Sequence, residues 1–176
     1  MDNFLVMSAL GKDRPGIVDQ LSLAILDAGC SVFDSRMTVL GGEFAIIMLV
    51  SGKWNQLAKL EDQLPTLEER LHLNLNCRRT ETEPGNKGQI TYTIEVITLD
   101  HPGIVHQIAG FFSTRNINIR ELNTNRYAAA HTGTPMFSIH MTVDIPADIR
   151  IASLREDFLD FCDDLNMDAV IEPMKS

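Results

Sequence analysis

The chain is short of several features that would assign it quickly. Cysteine occurs three times, as Cys30, Cys77 and Cys162, isolated and odd in number. That excludes a disulfide framework or a zinc site and fits buried thiols in a reducing cytoplasm. Cations are scarce: 15 Lys and Arg stand against 24 Asp and Glu, a formal charge of -9. A surface of that sign argues against direct binding of DNA, RNA or an anionic membrane. Any effect on nucleic acid would then pass through a partner. Aromatic residues make up 6%, and no apolar run approaches the ~18 residues needed to span a bilayer. Met1 to Leu10 has no cationic start, and its apolar run is too short for a signal peptide, so a cytoplasmic location is expected.

What is present is a core-forming chain of 176 residues, 44% apolar and 22% charged, comfortable for two domains of about 80–90 residues each. A search for internal repeats is productive. Asp13-Arg14-Pro15-Gly16-Ile17-Val18-Asp19-Gln20 recurs as Asp100-His101-Pro102-Gly103-Ile104-Val105-His106-Gln107, at an offset of 87 with six of eight positions identical. The same offset maps Leu21 on Ile108, Ala24 on Phe111, Ile25 on Phe112, Cys30 on Ile117, Val32 on Ile119 and Asp34 on Glu121. Phe44-Ala45-Ile46 then returns as Phe137-Ser138-Ile139 at an offset of 93, so the second copy has gained six residues around Tyr127 to Thr134. Domains at 1–80 and 90–176 are expected, joined by a polar linker at 81–89 that contains Pro84-Gly85.

Each copy has the same order of elements. Phe4 to Leu10 and Ile90 to Leu99 read as strands closed by a Pro-Gly turn. Ile17, Val18, Leu21, Ala24, Ile25 and Ala28 then form the stripe of an amphipathic helix. It stops at Gly29, which tolerates positive φ. Ser31–Leu40 and Glu43–Ser51 make a hairpin around Gly41-Gly42. A second helix carries Trp54, Leu57, Leu60 and Leu64, with Pro65 expected to kink or end it, and His72 to Arg79 is the last strand. In the second copy Ile151, Leu154, Phe158, Phe161 and Leu165 mark that helix and Asp168 to Glu172 the final strand. The order βαββαβ, twice, predicts an α+β fold of two ferredoxin-like units. Each is a four-stranded antiparallel sheet with both helices on one face.

The opposite sheet face differs between the copies. In the second, Thr91, Thr93, Glu95, Ser138, His140 and Thr142 alternate with core residues, as for a wet face. The matching positions in the first are Phe4, Val6, Ser8, Ala45, Ile47 and Leu49, an apolar patch that predicts a contact surface for the other copy, a sister chain or a regulated partner.

The repeated Asp-x-Pro-Gly turn is the feature with chemistry. Proline near the first helical position presets φ, glycine lets a ligand approach the backbone, and the helix start suits a carboxylate. Asp13 or Asp100 would pair with an ammonium group, so the turn fits both ends of a zwitterion. The bland alternative is that Pro-Gly only makes the turn and the aspartate caps the helix. Other features carry less. Gly11 to Gly16 has phosphate-loop spacing, but Ile17-Val18 replaces the Lys-Ser/Thr that would grip phosphate. His101 and His106 share no helix face, so no metal site is expected. Asp157, Asp160, Asp163 and Asp164 read as a solvated helix face, and Arg36, Arg78 and Arg79 are too few for nucleic acid. No nucleophile, base and orienting group can be placed together, so an enzyme is not expected.

Asp-x-Pro-Gly-Ile-Val between strand and helix in a βαββαβ frame resembles the ACT domain, a ligand-sensing module of amino-acid metabolism. Ala9 to Val18, Cys30 to Arg36, Glu43-Phe44 and Met48 to Trp54 are similar to the glycine cleavage system transcriptional repressor family, a stand-alone pair of ACT domains. The resemblance covers essentially the whole chain and is strongest from Phe4 to Arg79. It implies ligand contacts at the first strand–helix loop, facing the second strand of a neighbouring copy. By position these are Asp13, Pro15, Gly16, Ile17 and Ser31, with Asp100, Pro102, Gly103, Ile104 and Asn118 in the second copy. It also implies repression of the glycine cleavage genes by contact with a LysR-type activator, relieved by glycine, with no cofactor. Module habit and the apolar face (Phe4, Val6, Ala45, Ile47, Leu49) predict a homodimer. The alternative use of the same module is a regulatory subunit or sensor of an enzyme of amino-acid metabolism.

Overall fold

The computed structural model describes residues 3–81 and 88–174, and the chain divides into two compact units, 1–83 and 84–176. Most of the expected linker, 82–87, lies outside the described residues. The first unit runs β1 (Asn3–Lys12), α1 (Ile17–Asp27), β2 (Ser31–Leu40), β3 (Glu43–Gly52), α2 (Trp54–Leu71) and β4 (Asn74–Thr80). The second repeats it as β5 (Gln89–Leu99), α3 (Ile104–Ser113), β6 (Asn118–Ala128), β7 (Pro135–Pro146), α4 (Ile151–Asp164) and β8 (Asp168–Pro173). The sheets are antiparallel with orders β2-β3-β1-β4 and β6-β7-β5-β8. This is the ferredoxin-like α+β arrangement that the repeated element order predicts.

Alternation explains the packing. Leu5, Met7 and Ala9 of β1 and Phe44, Ile46, Met48 and Val50 of β3 point one way, and α1 and α2 cover them with Ile17, Leu21, Ile25, Leu57, Leu60 and Leu67. In the second unit Tyr92, Ile94 and Val96 with Ile139, Met141, Val143 and Ile145 do the same under Ile104, Ile108, Phe112, Leu154 and Phe158. Each fully buried side chain of this size contributes roughly 1.5–3 kcal/mol, which is what fixes both helices to one sheet face. The second core is built around aromatic rings: Phe111, Phe112 and Phe158 meet edge to face or tilted, with centroids 5.1 Å apart.

Helix ends follow from residue type. Gly29 adopts φ 81° after α1, and Asn116, its counterpart after α3, adopts φ 56°. Glycine and asparagine are the residues that enter the left-handed region most readily. The two hairpins differ as the insertion requires. Gly41-Gly42 links β2 to β3 directly, while β6–β7 gains the extra pair Ala128↔Pro135 before its turn.

Two expectations need correction. Pro65 does not end α2, which runs on to Leu71. Pro65 lies on the exposed side, and the stripe Leu57, Leu60, Leu64, Leu67 and Leu71 anchors the helix on both sides of it. Packing outweighs the lost hydrogen bond. Cys30 and Cys162 are buried, but Cys77 is exposed: it lies opposite Met7 on the edge strand β4, at the margin of the helix layer. Burial pushes the Cys30 thiol above its ordinary pKa and the Cys162 thiol up to about 12, with Asp163 adding to the rise.

Candidate functional site

The two Asp-x-Pro-Gly loops have nearly one backbone. Gly16 stands at the N-cap of α1 with φ 89° and ψ -2°, and Gly103 at that of α3 with φ 93° and ψ -2°. A side chain at either glycine would meet nothing within 4 Å, so the backbone conformation and not space demands glycine. Each loop is pinned by its hairpin tip: Asp13 donates its N–H to the Gly42 carbonyl (3.1 Å) and Asp100 to the Pro135 carbonyl (3.0 Å). Pro15 and Pro102 stand one residue before the cap, outside the helix. No side chain caps either helix start, so the aspartates do not have the capping role of the bland alternative. The first-turn N–H groups are left available by the general geometry of a helix start.

The side chains around these equal backbones differ. Asp13 is exposed, and its carboxylate has no hydrogen bond or ion pair among the described residues. Arg14 turns away, donating to the Leu71 carbonyl at the end of α2 (3.0 Å) and reaching Gln20 Oε1 at 3.5 Å. In the second unit Asp100 Oδ2 holds Arg126 Nε at 2.7 Å. His101 stays at home, its Nδ1 3.0 Å from the Pro102 carbonyl. Gln107, the counterpart of Gln20, has a buried Oε1 that meets no donor among the described residues.

The loop candidates of each unit gather, with one distinction. Pro15, Gly16, Pro102 and Gly103 are exposed, whereas the side chains of Ile17 and Ile104 are 2% exposed and belong to the cores. Only their backbone N–H groups, at the open helix starts, remain for a ligand to reach. Ser31 and Asn118 are not brought to the loop of their own unit. Ser31 starts β2 opposite Ser51, while the loop abuts the far end of that hairpin at Gly42, roughly 30 Å away at about 3.3 Å per residue. Their candidacy therefore requires a neighbouring copy.

The helix-free face of the first unit carries Phe4, Val6, Ala45, Ile47 and Leu49 together, with Ile47 52% exposed. Phe4 meets Phe33 edge to face, centroids 5.3 Å apart. A groove of about 430 Å³ runs beside them, lined by Val6, Phe33, Arg36, Ile47 and Leu49 among others. The matched place in the second unit is charged. Thr91 donates to Asp144 Oδ1 (2.8 Å), and Arg120 Nε to Asp144 Oδ2 (2.7 Å), with Asp144 2% exposed. Reasoning from the chain missed Arg126, Arg120 and Asp144. The repeat offsets were the signal that could have found them: 87 carries Val39 to Arg126 and Phe33 to Arg120, and 93 carries Ser51 to Asp144. Among the described residues no group of three or more His, Cys, Asp or Glu could hold a metal, and no helix is long and apolar enough to cross a membrane.

Fold and loops together define an ACT-type regulatory module, and the ACT domain model matches residues 3–78. Glycine cleavage system transcriptional repressors of Escherichia coli and Shigella flexneri are each 32% identical over 164 residues, 93% of this chain and 86% of theirs. The chain belongs to the glycine cleavage system transcriptional repressor family. A crystal structure assigned to a repressor of that name superposes with TM-score 0.76 at 26% identity, covering 100% of this chain and 99% of its own. A protein of unknown function from Galdieria sulphuraria gives 0.81 at 26%, covering 99% and 100%. The relatives are named as regulators of transcription, and the ACT domain is a regulatory module, not a catalytic one.

Proposed function

We propose that this protein is an amino-acid-responsive repressor of the glycine cleavage genes that acts by contact with a LysR-type activator protein, not on DNA, and that glycine relieves it. The observation that carries this reading is family membership across nearly the whole chain, combined with an unpaired Asp13 carboxylate beside the uncapped start of α1. The Asp13 carboxylate meets the ammonium, and the N–H groups of the α1 start meet the carboxylate. The surface charge supports a protein partner over DNA: the net charge is -9, and Arg79, Arg120 and Arg126 are paired with Glu61, Asp144 and Asp100. Phosphate binding needs cations free to release counterions. The apolar helix-free face of the first unit offers the surface for a homodimer or the activator.

Response to glycine needs only that it bind one of two conformations or assemblies better than the other. Thermal unfolding against a panel of free amino acids tests the reading. A ligand at one hundred times its dissociation constant stabilises the folded state by about 2.7 kcal/mol. Glycine raises the midpoint and Asp13→Asn abolishes the rise. A shift with a different amino acid only, and an enzyme in place of an activator in co-purification, would move the assignment to a regulator of metabolic enzymes.

A further inference from the structure

The two loops share a backbone, but only the second has its aspartate ion-paired, and the cause is one residue on the neighbouring strand. We infer that Arg126 takes, from within the chain, the place at Asp100 that a ligand's ammonium group would occupy, so that an amino acid binds at Asp13 alone. This rests on the reading of the loops as amino-acid sites.

Arg126 and Val39 occupy one lattice position. Arg126 stands opposite Phe137 in the β6–β7 ladder as Val39 stands opposite Phe44 in β2–β3. In the first unit an aliphatic side chain at that position leaves the Asp13 carboxylate without an internal counter-ion. Arg14, adjacent in sequence, is committed to the Leu71 carbonyl. In the second unit the guanidinium reaches back over the loop and holds Asp100, whose side chain is only 19% exposed, at 2.7 Å. An ammonium group arriving at Asp100 must displace a cation already hydrogen-bonded there and lose a charge-assisted contact it would gain at Asp13. One such contact is worth roughly tenfold or more in affinity.

Reciprocal exchange of the two residues in the full chain, followed by calorimetric titration with glycine, tests this. The wild type takes one glycine per chain. Val39→Arg weakens that binding about tenfold or more, and Arg126→Val creates a second site, raising the stoichiometry to two. Both positions are exposed, and an unchanged melting midpoint without ligand shows that each variant is folded. Two glycines per wild-type chain, or a stoichiometry of one in Arg126→Val with unaltered affinity in Val39→Arg, would overturn the inference while leaving the sensing loop intact. Absence of glycine binding by the wild type instead overturns the reading of the loops themselves, and the inference with it.

Discussion

The two units answer the same geometric question with different chemistry. At one corner of the helix-free face, three matched positions are Phe4, Phe33 and Ser51 in the first unit and Thr91, Arg120 and Asp144 in the second. The first trio closes with an edge-to-face ring pair, the second with a hydrogen-bonded ion pair on a carboxylate that is 2% exposed. Beneath them the cores keep one register, and both bulges fall in the same place, between Val32 and Asp34 and between Ile119 and Glu121. Core positions are constrained by close packing. Face and loop side chains are free to specialise, and here they have separated a unit with an apolar face and an unpaired Asp13 from one with a polar face and a paired Asp100.

The largest separation between the units is expected at alkaline pH. The folded-state pKa of Cys162 is raised from 9.0 to about 12, so the folded unit keeps a proton that the unfolded chain releases. The contribution of the neutral thiol is therefore fully present below pH 9 and is lost as pH rises toward 12, at about 1.4 kcal/mol per pH unit. Urea unfolding at pH 8 and pH 10.5 measures it. The second unit loses stability more steeply than the first, where Arg79 and Lys59 oppose the rise at Cys30, and Cys162→Ala flattens the limb. Equal slopes in wild type and variant would count against the burial of that thiol.

Next in size is the corner itself. Asp144→Ala removes the shared acceptor of Thr91 and Arg120 and is expected to cost about 2–3 kcal/mol. That is below the range for breaking a fully buried pair, because Arg120 is half exposed and can rehydrate. The matched Ser51→Ala changes stability by less than about 0.5 kcal/mol. A denaturation series in which the two substitutions cost the same would erase the contrast. A smaller, shared effect checks that the loop backbones are one structure. Gly16→Ala and Gly103→Ala each place a Cβ in a left-handed conformation with open space around it, for about 1 kcal/mol apiece. Unequal costs would mean that the loops differ in more than side chains.

Most of this architecture was legible in the chain because repeated periodicity reports local rules. Alternation assigned Tyr92, Ile94 and Val96 to the core face, and the stripe from Ile17 to Ala28 assigned α1. The features that escaped depend on what lies across a sheet. Asp100 and Arg126 are brought together only when the lengthened hairpin folds beside the loop, and Thr91, Arg120 and Asp144 come from three strands. That α2 runs on past Pro65 was not legible, because local propensity takes no account of the five leucines that hold the helix down. Ser31 and Asn118 entered through family position, and a single unit cannot bring them to its loop.

The smallest effect sharpens the comparison most, because it converts one unit toward the other. α2 and α4 are each followed by a residue at positive φ, His72 at 51° and Asn166 at 55°, which places Leu71, the last residue of α2, and Leu165, the C-cap of α4, at corresponding corners. In the first unit Arg14 spans this corner, donating to the Leu71 carbonyl and approaching Gln20. In the second, His101 is too short and contacts its own loop, and the buried Gln107 Oε1 is left without a donor among the described residues. A buried acceptor without a partner costs about 1–3 kcal/mol, and a net hydrogen bond recovers about 1 kcal/mol. His101→Arg is therefore expected to stabilise the second unit by roughly 1 kcal/mol, less the side-chain entropy of ordering the arginine. Arg14→His destabilises the first by a similar amount. Urea midpoints that move in opposite directions for this pair establish the corner as the same structural joint in both units. Midpoints that fall together would show that Gln107 already meets a donor, and that the second unit closes this joint by a different route.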